Sequence, residues 1–179
     1  IANEKSKNKA ATVNRKLTVI KSAFSWAKRH KLIINNELSS LESLTEDDSK
    51  VSVRYLSSDE RERLIVALKG NAKGIYTIVM LAMHTGLRRN AIFSLKWEDV
   101  NLEERNIRLL AISAKSRKIS YVPINDTALK VLSEWKEVAP KSDFVFPSPV
   151  TGKKLNNVKK SWASILKEAR IENFRFHDL

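Results

Sequence analysis

In "ATVNRKLTVIKSAFSWAKRHKLI" the apolar residues Val13, Leu17, Ile20, Phe24 and Ala27 recur at helical spacing, predicting an amphipathic helix with Thr12 as its N-cap. The period then lapses. "NNELSSLESLTEDDSKVSV" is polar and acidic, and predicts a linker at residues 45–53. Periodicity returns in "YLSSDERERLIVAL", where Ser57 and Glu60 stand in capping-box spacing ahead of Leu64, Ile65 and Leu68 on one face. "GIYTIVMLAMHTG" is more apolar and predicts a buried central helix, closed by Gly86 in the left-handed conformation. "RRNAIFSLKWEDV" predicts another short helix with Ile92 and Leu95 inward.

Here the period changes from helix to strand. "NIRLLAI" and "ISYVPI" are rich in β-branched and apolar residues and flank "SAKSR" and Lys118, which predicts an antiparallel hairpin with a basic tip. The tip lacks glycine, so no turn type is assigned. Helical spacing resumes through Leu129, Leu132 and Trp135, and again through Val158, Trp162, Ile165 and Ala169, with an extended piece and a turn in "DFVFPSPVTGKK" between them. The expected fold is mainly α with a small antiparallel β-sheet (α+β). The expected domains are a helical part at 1–44, the linker at 45–53, and a mixed α/β part at 54–179.

Charge narrows the class of partner. With 33 Lys+Arg against 20 Asp+Glu among 179 residues, the net charge of +13 points to a polyanion, with nucleic acid ahead of an anionic membrane surface. The chain has no cysteine, which excludes disulfides and thiolate metal sites and fits a cytoplasmic setting. His30, His84 and His177 show no metal-ligand spacing, so neither a metal nor another cofactor is expected. No apolar run approaches the ~20 residues that span a bilayer, and "IANEKSKNKA" is not a signal peptide.

Three chemical features follow one another along the chain: "HTGLRRNAIFSLKWEDV", "AKSRKISYVPI" and the terminal "FRFHDL". Singly, each has a plain structural reading: a helix ended by glycine, lysines for solubility, a histidine packed beside phenylalanine. In this order and spacing they resemble the motifs of the tyrosine recombinases, the phage-integrase family of site-specific DNA recombinases. "ATVNRKLTVIKSAFSWAKRHKLI" is similar to the end of that family's core-binding domain and "YLSSDERERLIVAL" to the start of its catalytic domain. "TGLRRNAIFSLKWEDVN" is similar to its first arginine motif, "AKSRKISYVPI" to its lysine hairpin, and "FHDL" to the opening of its H-x-L-R-H motif.

The resemblance implies that Arg88 is the first catalytic arginine, because it directly follows the Gly-Leu pair, that Lys115 is the hairpin lysine, and that His177 is the first histidine of the later motif. It further implies a recombinase, of a prophage or mobile element, that cuts and rejoins double-stranded DNA without metal or ATP through a 3′-phosphotyrosine intermediate, as a tetramer on DNA. Arg88 would hold non-bridging phosphate oxygens with its planar donors, Lys115 would protonate the departing 5′ oxygen, and His177 would hydrogen-bond the phosphate or assist proton transfer. Where the family often carries an acidic residue, three positions after the first arginine, this chain has Ala91.

The second arginine and the tyrosine nucleophile of the pattern are not among these residues. Tyr55, Tyr76 and Tyr121 all precede His177 and are expected to pack, not to react. The chain, which opens on Ile1, is therefore expected to be a piece of a longer protein, monomeric and inactive alone, with apolar surface exposed near Phe174 and Phe176. Arg15, Lys16, Arg89, Arg117, Lys118, Lys153, Lys154, Lys159, Lys160 and Arg175 are candidate DNA contacts, and solvated surface charge is the competing reading for them. Two rival functions remain at this point: a non-catalytic DNA-binding relative of the recombinases, and a helical protein-interaction scaffold.

Overall fold

The computed structural model describes residues 9–46, 54–110 and 119–179, and the chain divides into two compact units, Ile1–Ser52 and Val53–Leu179. Most of the expected linker, residues 47–53, lies outside the described residues.

The first unit is built on α1, Ala10–Arg29. Its N-cap is Lys9, in extended conformation and without a side-chain cap, not Thr12, whose N–H donates to the Lys9 carbonyl at 2.9 Å. Val13 and Leu17 are buried, whereas Ile20 and Phe24, at the same helical spacing, remain 46% and 41% exposed. Periodicity identifies residues that share a helix face; it does not say how far that face is covered. A 3-10 turn at Glu37–Ser40 follows. Asn14 then fixes the chain beyond it, donating to the Leu44 carbonyl at 2.8 Å and accepting from the Leu44 N–H at 2.7 Å.

The second unit begins with α2, Ser58–Lys69, entered through the predicted capping box: Ser57 Oγ accepts from the Glu60 N–H at 3.1 Å and Glu60 accepts from the Ser57 N–H at 3.0 Å. Two otherwise unpaired donors of the first turn are thereby satisfied. Ser57→Ala is expected to cost about 1 kcal/mol of stability, read from the denaturant midpoint of this unit. Leu64 and Leu68 are buried as their spacing requires, and Ile65 is half-buried.

Next comes α3, Lys73–Thr85, buried along one continuous stretch from Thr77 to Ala82. Gly86 ends it with φ 64°, a conformation that costs a residue without Cβ little, and its N–H closes on the Ala82 carbonyl. One turn of helix, α4 at Arg89–Phe93, and a 3-10 turn at Trp97–Asp99 lead into the sheet.

The sheet has three antiparallel strands in the order β1 (Val100–Asn101), β2 (Asn106–Leu109) and β3 (Ser120–Pro123). Ile107 lies opposite Val100 on one side and Val122 on the other. The predicted hairpin is β2–β3, and β1 is an addition to it. Asp99, 7% exposed, fastens the preceding turn to β2 through Arg108, at 2.9 Å to Nε and 2.8 Å to Nη2.

Two further helices complete the unit: α5, Asp126–Val138, packed mainly on α3, and α6, Lys159–Glu168, packed on α2. Trp135 reaches across to the Val145 carbonyl at 2.7 Å. The architecture is mainly helical with a small antiparallel sheet, and the core joins α2, α3, α4 and the inner faces of α5 and α6.

Two expectations about aromatic residues are corrected. Phe174 and Phe176 are buried, at 5% and 8% exposure, because the chain after α6 turns back onto Trp162 and Phe93. Of the tyrosines, Tyr76 packs against the core, whereas Tyr55 and Tyr121 are 75% and 64% exposed. Among the described residues, no helix is long and apolar enough to cross a membrane.

Candidate phosphate-binding site

Arg88 stands at the N-cap of α4 with φ −61° and ψ 142°, and its carbonyl accepts the first helical bonds, from Ala91 at 2.8 Å and Ile92 at 3.1 Å. The side chain is exposed, and its guanidinium takes no hydrogen-bond or ion-pair partner among the described residues. Local sequence explains this placement. Gly86 reverses the chain, Leu87 is buried, and Ala91, Ile92 and Phe93 are buried on the other side. Ala91 sits within that core, so an acidic residue at this position would have to enter the same packed surroundings.

The second half of the site comes from the end of the described chain. Phe176 lies edge-on to Trp162, with ring centroids 5.5 Å apart, and 6.2 Å from Phe93 at the end of α4. Phe176 starts a 3-10 turn, Phe176–Asp178, that carries His177 into solvent. The turn is closed reciprocally: the Arg175 N–H donates to Asp178 at 2.8 Å, and the Asp178 N–H to the Arg175 carbonyl at 2.9 Å. Arg175 also reaches Asp178 through its guanidinium at 2.8 Å. That contact, with the Arg175 N–H, holds the Asp178 carboxyl below its ordinary range. Arg175 is thus engaged locally while its exposed surface remains available to an anion.

Between α4, α6 and this turn lies a cleft of about 440 Å³ lined by Arg89, Lys159, Arg175 and His177 over a floor of Trp162, Phe174 and Phe176. Four side chains from three separate segments therefore meet on one surface. Arg89, the neighbour of the expected catalytic arginine, lines the cleft; Arg88 does not. Arg89 is half-buried, and its Nε, like the Trp162 Nε1, is buried without a protein acceptor. Periodicity did not identify this role for Arg89 or Trp162, since it arises from packing between elements. The alternation Phe174, Arg175, Phe176 was the available signal: two inward aromatics flanking one outward cation.

Below the cleft, Arg54 lies over the Phe174 ring at 5.8 Å and hydrogen-bonds Glu60 at 3.0 Å. Those hydrogen bonds from Arg54, then the one from the Ser57 N–H, hold the Glu60 carboxyl at about 2. The folded state's preference for this carboxylate is fully present above the ordinary value of 4.5 and is lost as pH falls through about 2.

The remaining candidates separate clearly. Lys153, Lys154 and Lys160 are exposed around the start of α6 without lining the cleft, and Arg15 and Lys16 are exposed on α1 of the first unit. Lys115, Arg117 and Lys118 lie outside the described residues. What the described cations can do is bind an extended anion: one exposed guanidinium at a helix start, beside a recess with two further arginines, a lysine and an imidazole.

Residues 54–179 match the phage integrase family. The integrase of Salmonella phage P22 is 33% identical over 138 residues, 71% of this chain and 35% of the relative. Tyrosine recombinase XerC of Caldanaerobacter subterraneus is 27% identical over 146 residues, 79% of this chain and 38% of the relative. The chain thus spans little more than a third of the length of these two relatives. A lambda integrase tetramer bound to a Holliday junction has the same fold, with a TM-score of 0.71 and 17% identity over 99% of this chain and 54% of that one.

Proposed function

The chain belongs to the phage integrase family, and we propose on that basis that it is part of a site-specific recombinase that breaks and rejoins double-stranded DNA in the cytoplasm. The observation that carries this reading is the recess lined by Arg89, Lys159, Arg175 and His177, beside the exposed Arg88. A phosphodiester in transit between two alcohols gains negative charge on its non-bridging oxygens, and planar guanidinium donors match that charge in geometry as well as sign. Arg88 holds these oxygens, His177 hydrogen-bonds the phosphate or moves a proton as the phenol attacks, and Lys115 supplies the proton of the departing 5′ oxygen. One phosphate ester replaces another through a 3′-phosphotyrosine intermediate, so bond energy is retained without ATP.

In this reading residues 1–44 contribute to a core-binding domain and residues 54–179 to the catalytic domain. The lysines around the start of α6 and the cations of α1 hold the DNA backbone. By analogy with the lambda integrase tetramer on its junction, the whole protein assembles as a tetramer on paired sites, and this chain alone is a monomer. In this reading none of Tyr55, Tyr76 and Tyr121 is the nucleophile, because all three precede His177 and the pattern places the tyrosine after it; Tyr55 lies in the segment before α2, Tyr76 within α3 and Tyr121 on β3.

The test combines affinity with covalent capture. A fluorescent duplex should bind this chain with an affinity that falls by roughly 10³-fold between 50 and 200 mM salt if about six phosphates are contacted. On a nicked suicide substrate, denaturing gels should show no covalent adduct with this chain. Salt-independent affinity would remove the phosphate reading, and an adduct would place the nucleophile among the three tyrosines.

A further inference from the structure

His84, in the last turn of α3, takes no part in the site described above, yet it sits between the approach to Arg88 and the end of β3. Its Nδ1 lies 3.1 Å from the Asn125 Nδ2. Asn125 is the N-cap of α5, and its Oδ1 accepts from the Ala128 N–H at 2.9 Å. This second bond fixes which way the amide faces. With the oxygen committed to the cap, the nitrogen must turn to the imidazole, and an amide NH2 only donates. The His84 Nδ1 therefore accepts, which requires a neutral ring with its proton on Nε2.

Each side of this contact leads to a candidate catalytic element. From His84 the chain passes through Thr85, Gly86 and Leu87 to Arg88. From Asn125 it runs back through Ile124, buried and bonded to the Arg105 carbonyl at 2.8 Å, into β3, the strand that follows Lys115 in sequence.

We propose that His84 is a positioning residue: neutral, it clasps the α3 end that leads to Arg88 to the root of the β2–β3 hairpin, and protonation opens the clasp. The catalytic importance of those two elements rests on the function proposed above; the clasp itself does not.

The charges around the ring act in the same direction. Burial, and after it the positive charge of Arg61 on α2, push the His84 imidazole below its ordinary 6.5. On the α5 side the nearest charged residue in sequence, Asp126, is paired with Arg105 at 2.7 Å. For a base lowered in the folded state, the sign is that the neutral form is favoured by folding. The contribution is complete above 6.5 and is lost as pH falls through the folded midpoint. At neutral pH the clasp is closed.

The chain has only three histidines, so ring 15N and 13C signals in this chain can be followed individually through a pH titration. His84 is expected to titrate below 6.5, with the backbone amides of Gly86–Arg89 and Ser120–Val122 shifting at the same midpoint. Asn125→Asp keeps a good N-cap but turns the donor into a carboxylate. It should raise the His84 midpoint by about one pH unit or more. His84→Gln retains an acceptor without a titrating group, and should abolish the pH-dependent shifts at both segments while keeping their high-pH positions.

Equal His84 midpoints in the parent and Asn125→Asp proteins would overturn the proposal, as would Gly86–Arg89 amides that do not follow the ring. These readings are made without DNA, so a failure of the recombinase reading would leave them unchanged.

Discussion

Replacing Phe176 by alanine is expected to lower the unfolding free energy of the second unit by about 3–5 kcal/mol, the largest stability loss anticipated for the site. The side chain is 8% exposed and makes two aromatic contacts, edge-on with Trp162 and tilted against Phe93. Removing it takes away apolar burial and leaves a hole between α4 and α6 that neither helix can fill without breaking its contacts with the core. Phe176→Leu keeps most of the volume and should cost less than half as much. Guanidinium denaturation followed by tryptophan fluorescence measures both. A loss near 1 kcal/mol for the alanine variant would mean that the turn carrying His177 is held by the Arg175–Asp178 contacts instead.

The second large effect is on chemistry and concerns two adjacent arginines. In the whole protein, Arg88→Lys is expected to reduce cleavage of a suicide DNA substrate by about 10²-fold or more, because an ammonium cannot present two coplanar donors to a phosphate. Arg89→Lys should leave cleavage within roughly 10-fold, since Arg89 is half-buried at the cleft wall and a lysine there keeps the charge. The two are separated by single-turnover rates at saturating protein. A reversed pattern would transfer the phosphate clamp to Arg89 and to the cleft it shares with His177.

Much of this fold was legible in the sequence because the signals were local. Ser57 and Glu60 announce a helix start by spacing alone, Gly86 announces a stop, and "NIRLLAI" followed by "ISYVPI" announces a hairpin. Strand β1 was not legible: two residues are too few for any period, and Val100 and Asn101 join the sheet by pairing with β2. The start of α1 was misplaced because Thr12 is a good N-cap residue by type, whereas the helix begins three residues earlier, behind Lys9, which has no capping side chain.

The site divides in the same way. "TGLR" and "FHDL" mark Arg88 and His177 by short-range pattern, but the cleft is formed where α4, α6 and the Phe176 turn pack together, and no window of sequence contains all three. The exposure expected near Phe174 and Phe176 failed for a related reason: their partners, Trp162 and Phe93, lie on distant stretches of chain.

The backbone of Arg88 is bracketed on both sides. Leu87 before it and Ala91 after it are buried, while Arg88 itself is exposed. Fixing one residue's backbone costs about 1–2 kcal/mol of conformational entropy, and here that cost falls at folding, not at the encounter with a ligand. A phosphate that meets this arginine has only side-chain rotamers left to order, so more of the contact's gross energy survives as affinity. In that sense Gly86, which touches no ligand, sets how strongly Arg88 can hold one: its left-handed turn lets the chain leave a dry helix and re-enter the core within a few residues.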